Sequence, residues 1–344
     1  MTRVVFITQQ VDPGHPALAA TVPKIAALAD LVDEVVVLAD GAVEGVLPAN
    51  CRVRTFRSLS RAGRGVRFET ALTRELGGLR GGAVVAHMCP IYAVLAAPLV
   101  RPLRVPLLLW FTHWKASRLL RAAERVSTAV VSVDRRSFPL ESGKVKAIGH
   151  GIDLAEFPCA TARDRAKEPR LLALGRYSRA KGLDVVLRAV ATVEDASLAV
   201  HGPELSLDES KHRAELARLV TELGLGGRVT LNDAVPRSEI PSLFATHDAL
   251  VNNMRAGAPD KVVYEAAASC LPVLASNPVF DTLLDREQRF PRDDVAELAD
   301  RIRALTVLDA AERSALGRKL RERVQQGHSV ESWARGVLEA TGIA

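Results

Sequence analysis

Short runs of aliphatic and β-branched residues alternate with helix-length segments from one end of this chain to the other. That order is expected where parallel strands are joined by crossover helices. In the first half, Val4–Ile7, Val35–Leu38, Val84–Ala86, Leu107–Trp110 and Ala129–Val133 are predicted strands. Between the first two, Ala17–Leu31 carries Val22, Ile25, Leu28 and Leu31 on one helical face. A turn-rich stretch, Ser142 to Lys146 and then Ile148-Gly149-His150-Gly151, leads out of this first sheet.

Residues 158–169 are polar, unpatterned and bracketed by Pro158 and Pro169, which predicts a linker. The alternation then restarts with strands at Leu171–Leu174, Leu198–Val200, Val229–Leu231, Ala249–Val251 and Val273–Ala275. Helices are expected at Leu183–Val193, with Leu183, Val186, Leu187 and Val190 on one face, and at Lys211–Leu223. From Val295 onward the chain reads as helical, interrupted at Gly317, Gly327 and Gly336. The doubled pattern predicts an α/β protein of two Rossmann-like domains whose parallel sheets face a central cleft, the default ligand site of such a fold. The expected division is 1–157, a linker 158–169, a second domain 170–328, and a closing helix 329–344 that returns to the first domain.

A length of 344 residues fits two domains rather than one core. With 48% hydrophobic and 25% charged residues the chain is globular, and 4% aromatics is poor material for a nucleic-acid stacking surface. No run is long and apolar enough for a secretory leader or a membrane span, so a cytoplasmic protein is expected. The four cysteines, Cys51, Cys89, Cys159 and Cys270, are scattered without metal or disulfide spacing. The net charge of +6 is concentrated in arginines such as Arg52, Arg54, Arg57, Arg61, Arg64 and Arg67. These read as a solvated surface, or, with Leu59, Val66 and Phe68, as a face for peripheral contact with an anionic membrane.

Two segments carry chemistry. Leu174-Gly175-Arg176-Tyr177-Ser178-Arg179-Ala180-Lys181-Gly182 ends a strand with a glycine turn and sets Arg176 and Lys181 beside the loop. Two fixed cations at a strand's C-terminal end can clamp a diphosphate. The second runs from Asn252 through Gly257, Ala258, Pro259, Asp260, Lys261 and Val262 into a short helix bearing Glu265, ending before Pro272. The N-terminus of that helix offers N–H groups to a phosphate or sugar, and Glu265, amid Ala and Val, needs partners that ribose hydroxyls would supply.

In this order, the two segments resemble family 4 of the retaining GT-B glycosyltransferases, the glycosyl transferases group 1. Gly175-Arg176 with Lys181-Gly182 is similar to that family's first element, and Glu265-Ala266 with Pro272-Val273 to the end of its Glu-x7-Glu element. His150-Gly151-Ile152-Asp153 with Phe157 looks like the family hinge, and Ser329 to Trp333 like its closing helix. The resemblance implies a GT-B architecture and a retaining transferase that moves a sugar from a nucleotide-diphosphate donor to a glycan, lipid or small-molecule acceptor. It gives Arg176 and Lys181 to the diphosphate, Glu265 to the ribose, and His113 to the transferred sugar, so His113, Arg176 and Lys181 form the expected catalytic set. Gly14, Gly175, Gly257, Ala258, Asp260, Lys261 and Val262 complete the expected donor site, and His15, His87 and His113 the acceptor or cleft side. Two positions depart from the family. Gly257 stands where its first glutamate would fall, with Lys261 as a partial replacement, and Val11 to Pro16 replace its usual Gly-Gly loop.

No cofactor is expected, and without an Asp-x-Asp pair no metal ligand is named. A UDP-sugar is the first expectation for the donor and a GDP-sugar the second. No nucleic acid partner is expected. The competing readings are a non-catalytic nucleotide-sugar sensor or partner protein, and a nucleotide-sugar epimerase of the same fold.

Overall fold

The apolar runs condense into two parallel sheets in the computed structural model, which describes residues 2–15, 18–79, 81–159 and 169–343. The chain divides into one unit of Met1–Asp153 with Gly327–Ala344, and a second of Leu154–Gln326. The expected linker falls, from 160 to 168, outside the described residues.

The first unit holds strands β1 (Arg3–Val11), β2 (Glu34–Ala42), β3 (Cys51–Thr55), β4 (Ala83–His87), β5 (Leu107–Trp110), β6 (Ala129–Ser132) and β7 (Val145–Ala147). They lie in the order β3-β2-β1-β4-β5-β6-β7. All pair in parallel, with Val5 opposite both Val36 and Val84. Helices α1 (Thr21–Ala29), α2 (Arg61–Leu76), α3 (Pro90–Val100) and α4 (Arg118–Val126) fill the connections. Strand β3 escapes a reading by apolar runs because it is an edge strand whose arginines carry no hydrophobic signal.

Those arginines also correct the picture of a basic surface. Glu75 of α2 is 2% exposed. Arg52 Nη2 reaches its Oε2 at 2.9 Å, and Arg54 binds its other oxygen. Arg52 and Arg3 both also bind Glu34. Part of the N-terminal positive charge is thus consumed in holding the buried carboxylate at the end of α2. Phe68, expected on a membrane-facing side, is fully buried in the core against Phe56 and Tyr92, whereas Leu59 and Val66 are exposed.

The second unit has β8 (Arg170–Leu174), β9 (Ser197–His201), β10 (Val229–Asn232), β11 (Ala249–Asn252) and β12 (Val273–Ala275), in the order β10-β9-β8-β11-β12. Its helices are α5 (Leu183–Ala191), α6 (Leu207–Glu222), α7 (Ile240–Ala245), α8 (Lys261–Ala268), α9 (Val295–Val307) and α10 (Ala310–Gly327). The face of α5 carrying Leu183, Val186, Leu187 and Val190 is buried as its spacing predicts. Helix α6 begins earlier than its apolar spacing, because Ser206 caps it by accepting from the Glu209 N–H and two acids occupy its first turn.

The closing helix α11 (Val330–Thr341) belongs to the first unit, where it packs on α1. Gly317 and Gly336 prove to be helix interior rather than interruptions. A Cβ at Gly317 would sit 2.0 Å from the Cys270 carbonyl, and one at Gly336 would sit 2.8 Å from Ile148. Both glycines serve close approach, and Gly327 alone of the three ends a helix.

The absence of disulfide spacing among the cysteines does not mean the absence of a disulfide. Cys159 and Cys270 form a disulfide, with Cα atoms 4.9 Å apart, inside the usual range. A separation of 111 residues hides the pairing from spacing rules. Among the described residues, no helix is long and apolar enough to cross a membrane.

Candidate functional site

In the second unit strand order reverses at β8, which lies between β9 and β11, and ligands of open parallel sheets bind at the C-terminal strand ends beside such a reversal. Three loops converge there. Gly175, just past β8, has φ +136°, and a Cβ on it would lie 2.5 Å from Lys181 Nζ. Only glycine combines that backbone with that proximity, so Lys181 lies across Gly175. Gly202, after β9, leaves no room for a Cβ, which would sit 2.0 Å from the Gly175 carbonyl. Gly182 at φ +53° closes the loop, and its carbonyl accepts from Asn253 Nδ2 at 3.1 Å.

The two expected diphosphate cations are held by different carboxylates. Lys181 is paired with Asp260, which also accepts from Asn252 Nδ2 at 2.8 Å. Arg176 donates through Nε to Glu209 Oε1 at 2.8 Å, and its Nη2 binds the same oxygen. In this structure each cation sits on its own acid. Glu209 is buried, which by itself disfavours its charge. The guanidinium and the Leu205 N–H outweigh burial and hold its carboxyl below the usual carboxylate range.

Helix α8 starts directly after Asp260, so its first N–H groups open beside the Lys181–Asp260 pair. Glu265, one turn in, is 3% exposed. It accepts from Lys261 Nζ at 2.8 Å and from Arg237 Nη1 at 3.0 Å, and Arg237 also binds Glu156. Lys261, expected to serve in place of an acid at 257, is thus turned along the helix onto Glu265. Gly257 has φ +116°, and Val262 is buried. The Gly257 and Ala258 carbonyls face Asn277 Nδ2 at 3.4 and 3.5 Å.

Sequence reasoning missed the residues that fix this frame. Arg213 of α6 binds Glu204 after β9 at 2.7 Å and Asp233 after β10 at 2.6 Å, and lies over the Tyr177 ring at 4.8 Å. Tyr177 is fully buried, donates to the Asn232 carbonyl at 2.8 Å, and has its phenol pushed up to about 12, chiefly by burial. One arginine and one tyrosine therefore tie together the loops after β8, β9 and β10. Glu209, Arg213 and Arg237 are isolated charged residues, a weak signal until their partners are known, and nothing in the sequence signalled the pairing of Asp260, expected in the donor site, with Lys181.

The expected acceptor-side residues all lie in the first unit. His113 follows β5; its Nδ1 accepts from the Lys115 N–H at 2.9 Å and its ring stacks on Trp114. His15 Nδ1 accepts from the Leu18 N–H at 3.0 Å. A Cβ at Gly14 would meet Asp12 Oδ1 at 3.4 Å, ordinary contact, so the fold itself does not demand glycine there. His87 is not open to a ligand: it is 4% exposed and stacked on Trp110 beside Phe6 and Trp333. Burial first, and then the nearby Lys24, drive its imidazole well below the ordinary histidine range. Lys24, absent from the sequence reading, lies 4.1 Å from the centroid of the Trp110 ring and 5.3 Å from that of Trp333. Among the described residues, no group of three His, Cys, Asp or Glu side chains is placed to hold a metal ion.

Comparison with known proteins places this geometry in context. Residues 168–307 match the family model of glycosyl transferases group 1. Over 151 residues the chain is 31% identical to D-inositol 3-phosphate glycosyltransferase 1 of Catenulispora acidiphila, an alignment covering 39% of this chain and 35% of that protein's length. Among solved structures, the UDP complex of Anabaena Alr3699/HepE superposes with a TM-score of 0.78 at 17% identity, covering 99% of this chain and 100% of that one. Sucrose-phosphate synthase from Thermosynechococcus elongatus does so with a TM-score of 0.74 at 19% identity, covering 98% of each. The chain has the two-domain α/β fold of GT-B glycosyltransferases.

Proposed function

We propose that the protein transfers a sugar from a nucleotide-diphosphate donor held by its second unit, from the premise that residues 168–307 match the family model of glycosyl transferases group 1 within a chain of GT-B fold. The observation that carries the reading is the joint between the Gly175–Gly182 loop and the start of α8, made by Lys181 and Asp260. An ammonium and a row of helix N–H groups at the reversal point of a parallel sheet suit a diphosphate that gains charge as it departs. Asp260 holds Lys181 in place in the free protein, and a diphosphate replaces it as the ammonium's partner. Arg176, oriented by Glu209, supplies a second positive charge to the same loop.

Glu265 takes the ribose hydroxyls, its charge balanced by Lys261 and Arg237. Retention of configuration is part of the proposal: the anomeric carbon–oxygen bond to the diphosphate breaks, the acceptor oxygen bonds from the same face, and its proton passes to a departing phosphate oxygen. His113 attends the transferred sugar. No metal ion or resident cofactor enters the scheme. UDP is the expected base carrier, supported by the Anabaena relative's structures with UDP and with UDP-glucose, and GDP is second. Acceptor class and peripheral membrane contact rest on the first unit, whose exposed Leu59 and Val66 lie in the arginine-rich α2 region.

The test is release of nucleoside diphosphate from UDP- and GDP-sugars without acceptor, beside a thermal-shift screen with UDP, GDP, ADP and dTDP. One base should stabilise the protein by about 2.7 kcal/mol at a hundred times its dissociation constant, and its sugars should be slowly hydrolysed. Stabilisation with every donor left intact would favour a nucleotide-sugar sensor instead.

A further inference from the structure

Two adjacent asparagines at the C-terminal end of β11 hold the two sides of the Lys181–Asp260 joint. Asn252, the last residue of the strand and 4% exposed, donates through Nδ2 to Asp260 Oδ2 at 2.8 Å, the same oxygen that receives Lys181. Asn253, 2% exposed, donates through Nδ2 to the Gly182 carbonyl at 3.1 Å. The Arg255 N–H donates to the Ala180 carbonyl at 3.2 Å. The backbone on either flank of Lys181 is thereby pinned to the segment that follows β11, and the lysine side chain is the part left to move. The space lined by Gly175, Lys181, Asn252 and Asn253 is about 10 Å³, no more than about one water, so the joint is packed.

Stability alone does not account for this pair. Among the described residues, Asn252 Oδ1 and Asn253 Oδ1 are both buried without a hydrogen-bond partner, a cost that an apolar side chain of similar size would avoid. What Asn252 adds is a donor to Asp260 that does not depend on Lys181. The Asp260 side chain is 20% exposed, and a carboxylate that gives up its cation in such a place needs another partner.

Resting on the proposed donor site, we infer that Asn252 is a positioning residue that keeps hold of Asp260 when Lys181 passes to the diphosphate. In the free protein Asp260 Oδ2 is shared between the ammonium and the amide. Once the ammonium turns to the diphosphate, the amide hydrogen bond is no longer shared, strengthens, and offsets part of the cost of the exchange. Asn253 keeps the loop backbone in place while the lysine side chain swings.

A double-mutant cycle tests this, read by calorimetric titration of UDP, or of GDP if guanosine is the base that binds. Asp260→Asn removes the competing charge and should bind the nucleoside diphosphate about threefold or more tighter than wild type. Asn252→Leu and Asn252→Ala should bind it about threefold to tenfold more weakly, and in the Asp260→Asn background the same substitutions should change affinity by less than about twofold. Melting temperatures are read alongside, because a merely structural role would weaken binding equally in both backgrounds. An Asn252 penalty that persists in Asp260→Asn, or Asn252 variants that bind like wild type, overturns the inference and leaves the donor-site reading standing. Asp260→Asn binding no tighter than wild type overturns it as well, an outcome readable even where an Asn252 variant fails to fold. Wild type that binds no nucleotide overturns both readings.

Discussion

At the scale of single residues, the site is a set of buried or half-buried acids each matched by a cation from another element. Arg237 illustrates the consequence. Its removal leaves Glu265, 3% exposed, with Lys261 as its remaining ion-pair partner. Arg237→Ala should therefore cost about 2–4 kcal/mol in urea denaturation, against about 0.5 kcal/mol or less for a surface arginine. The glycines and cations of the Gly175–Gly182 loop were legible in sequence because they are adjacent and chemically distinctive. Their partners were not. Glu209 lies 33 residues from Arg176, and Asp260 lies 79 from Lys181, so the pairings emerge only once the strands are ordered. His87 failed in the opposite direction: a strand-end histidine reads as ligand-facing, and three aromatic neighbours enclose it.

At the scale of elements, apolar periodicity located the buried strands and helices and missed those whose role is set by backbone packing or charge. Strand β3 and the first turn of α6 are polar and therefore silent to it. The glycines of α10 and α11 mislead because intrinsic propensity says break while the tertiary contact says approach. Gly317→Ala decides which effect wins. Alanine gains about 1 kcal/mol of helix propensity. Against that, its Cβ must displace the Cys270 carbonyl from 2.0 Å, and overpacking of this kind costs about 1–3 kcal/mol. Backbone on both sides resists the shift, so a lower urea midpoint is expected despite the better helix former. A rise in the midpoint would mean the contact is slack.

At the scale of the whole molecule, two-unit organisation and parallel sheets followed from the doubled strand–helix rhythm. The boundary detail depended on α11, whose approach carries a titratable device. His328, whose carbonyl receives the Ile152 N–H at 2.7 Å, has its imidazole pushed down to about 4 from 6.5, mainly by burial, with Asp134 opposing. Its folded form prefers to be neutral, so its contribution is complete above about pH 6.5 and is lost as pH falls toward 4. The first unit should lose on the order of 3 kcal/mol across that window through His328, and His328→Asn should flatten the profile there. His87, depressed by its own burial, adds in the same direction.

The proposed function rests on nucleotide capture by the second unit, and calorimetric titration of the preferred nucleoside diphosphate into wild type and Lys181→Ala measures it directly. Wild type should bind one equivalent, and the variant should bind at least about tenfold more weakly, about 1.4 kcal/mol, with its fold intact by circular dichroism. Equal affinity in the two proteins would contradict the assignment of Lys181 to the diphosphate.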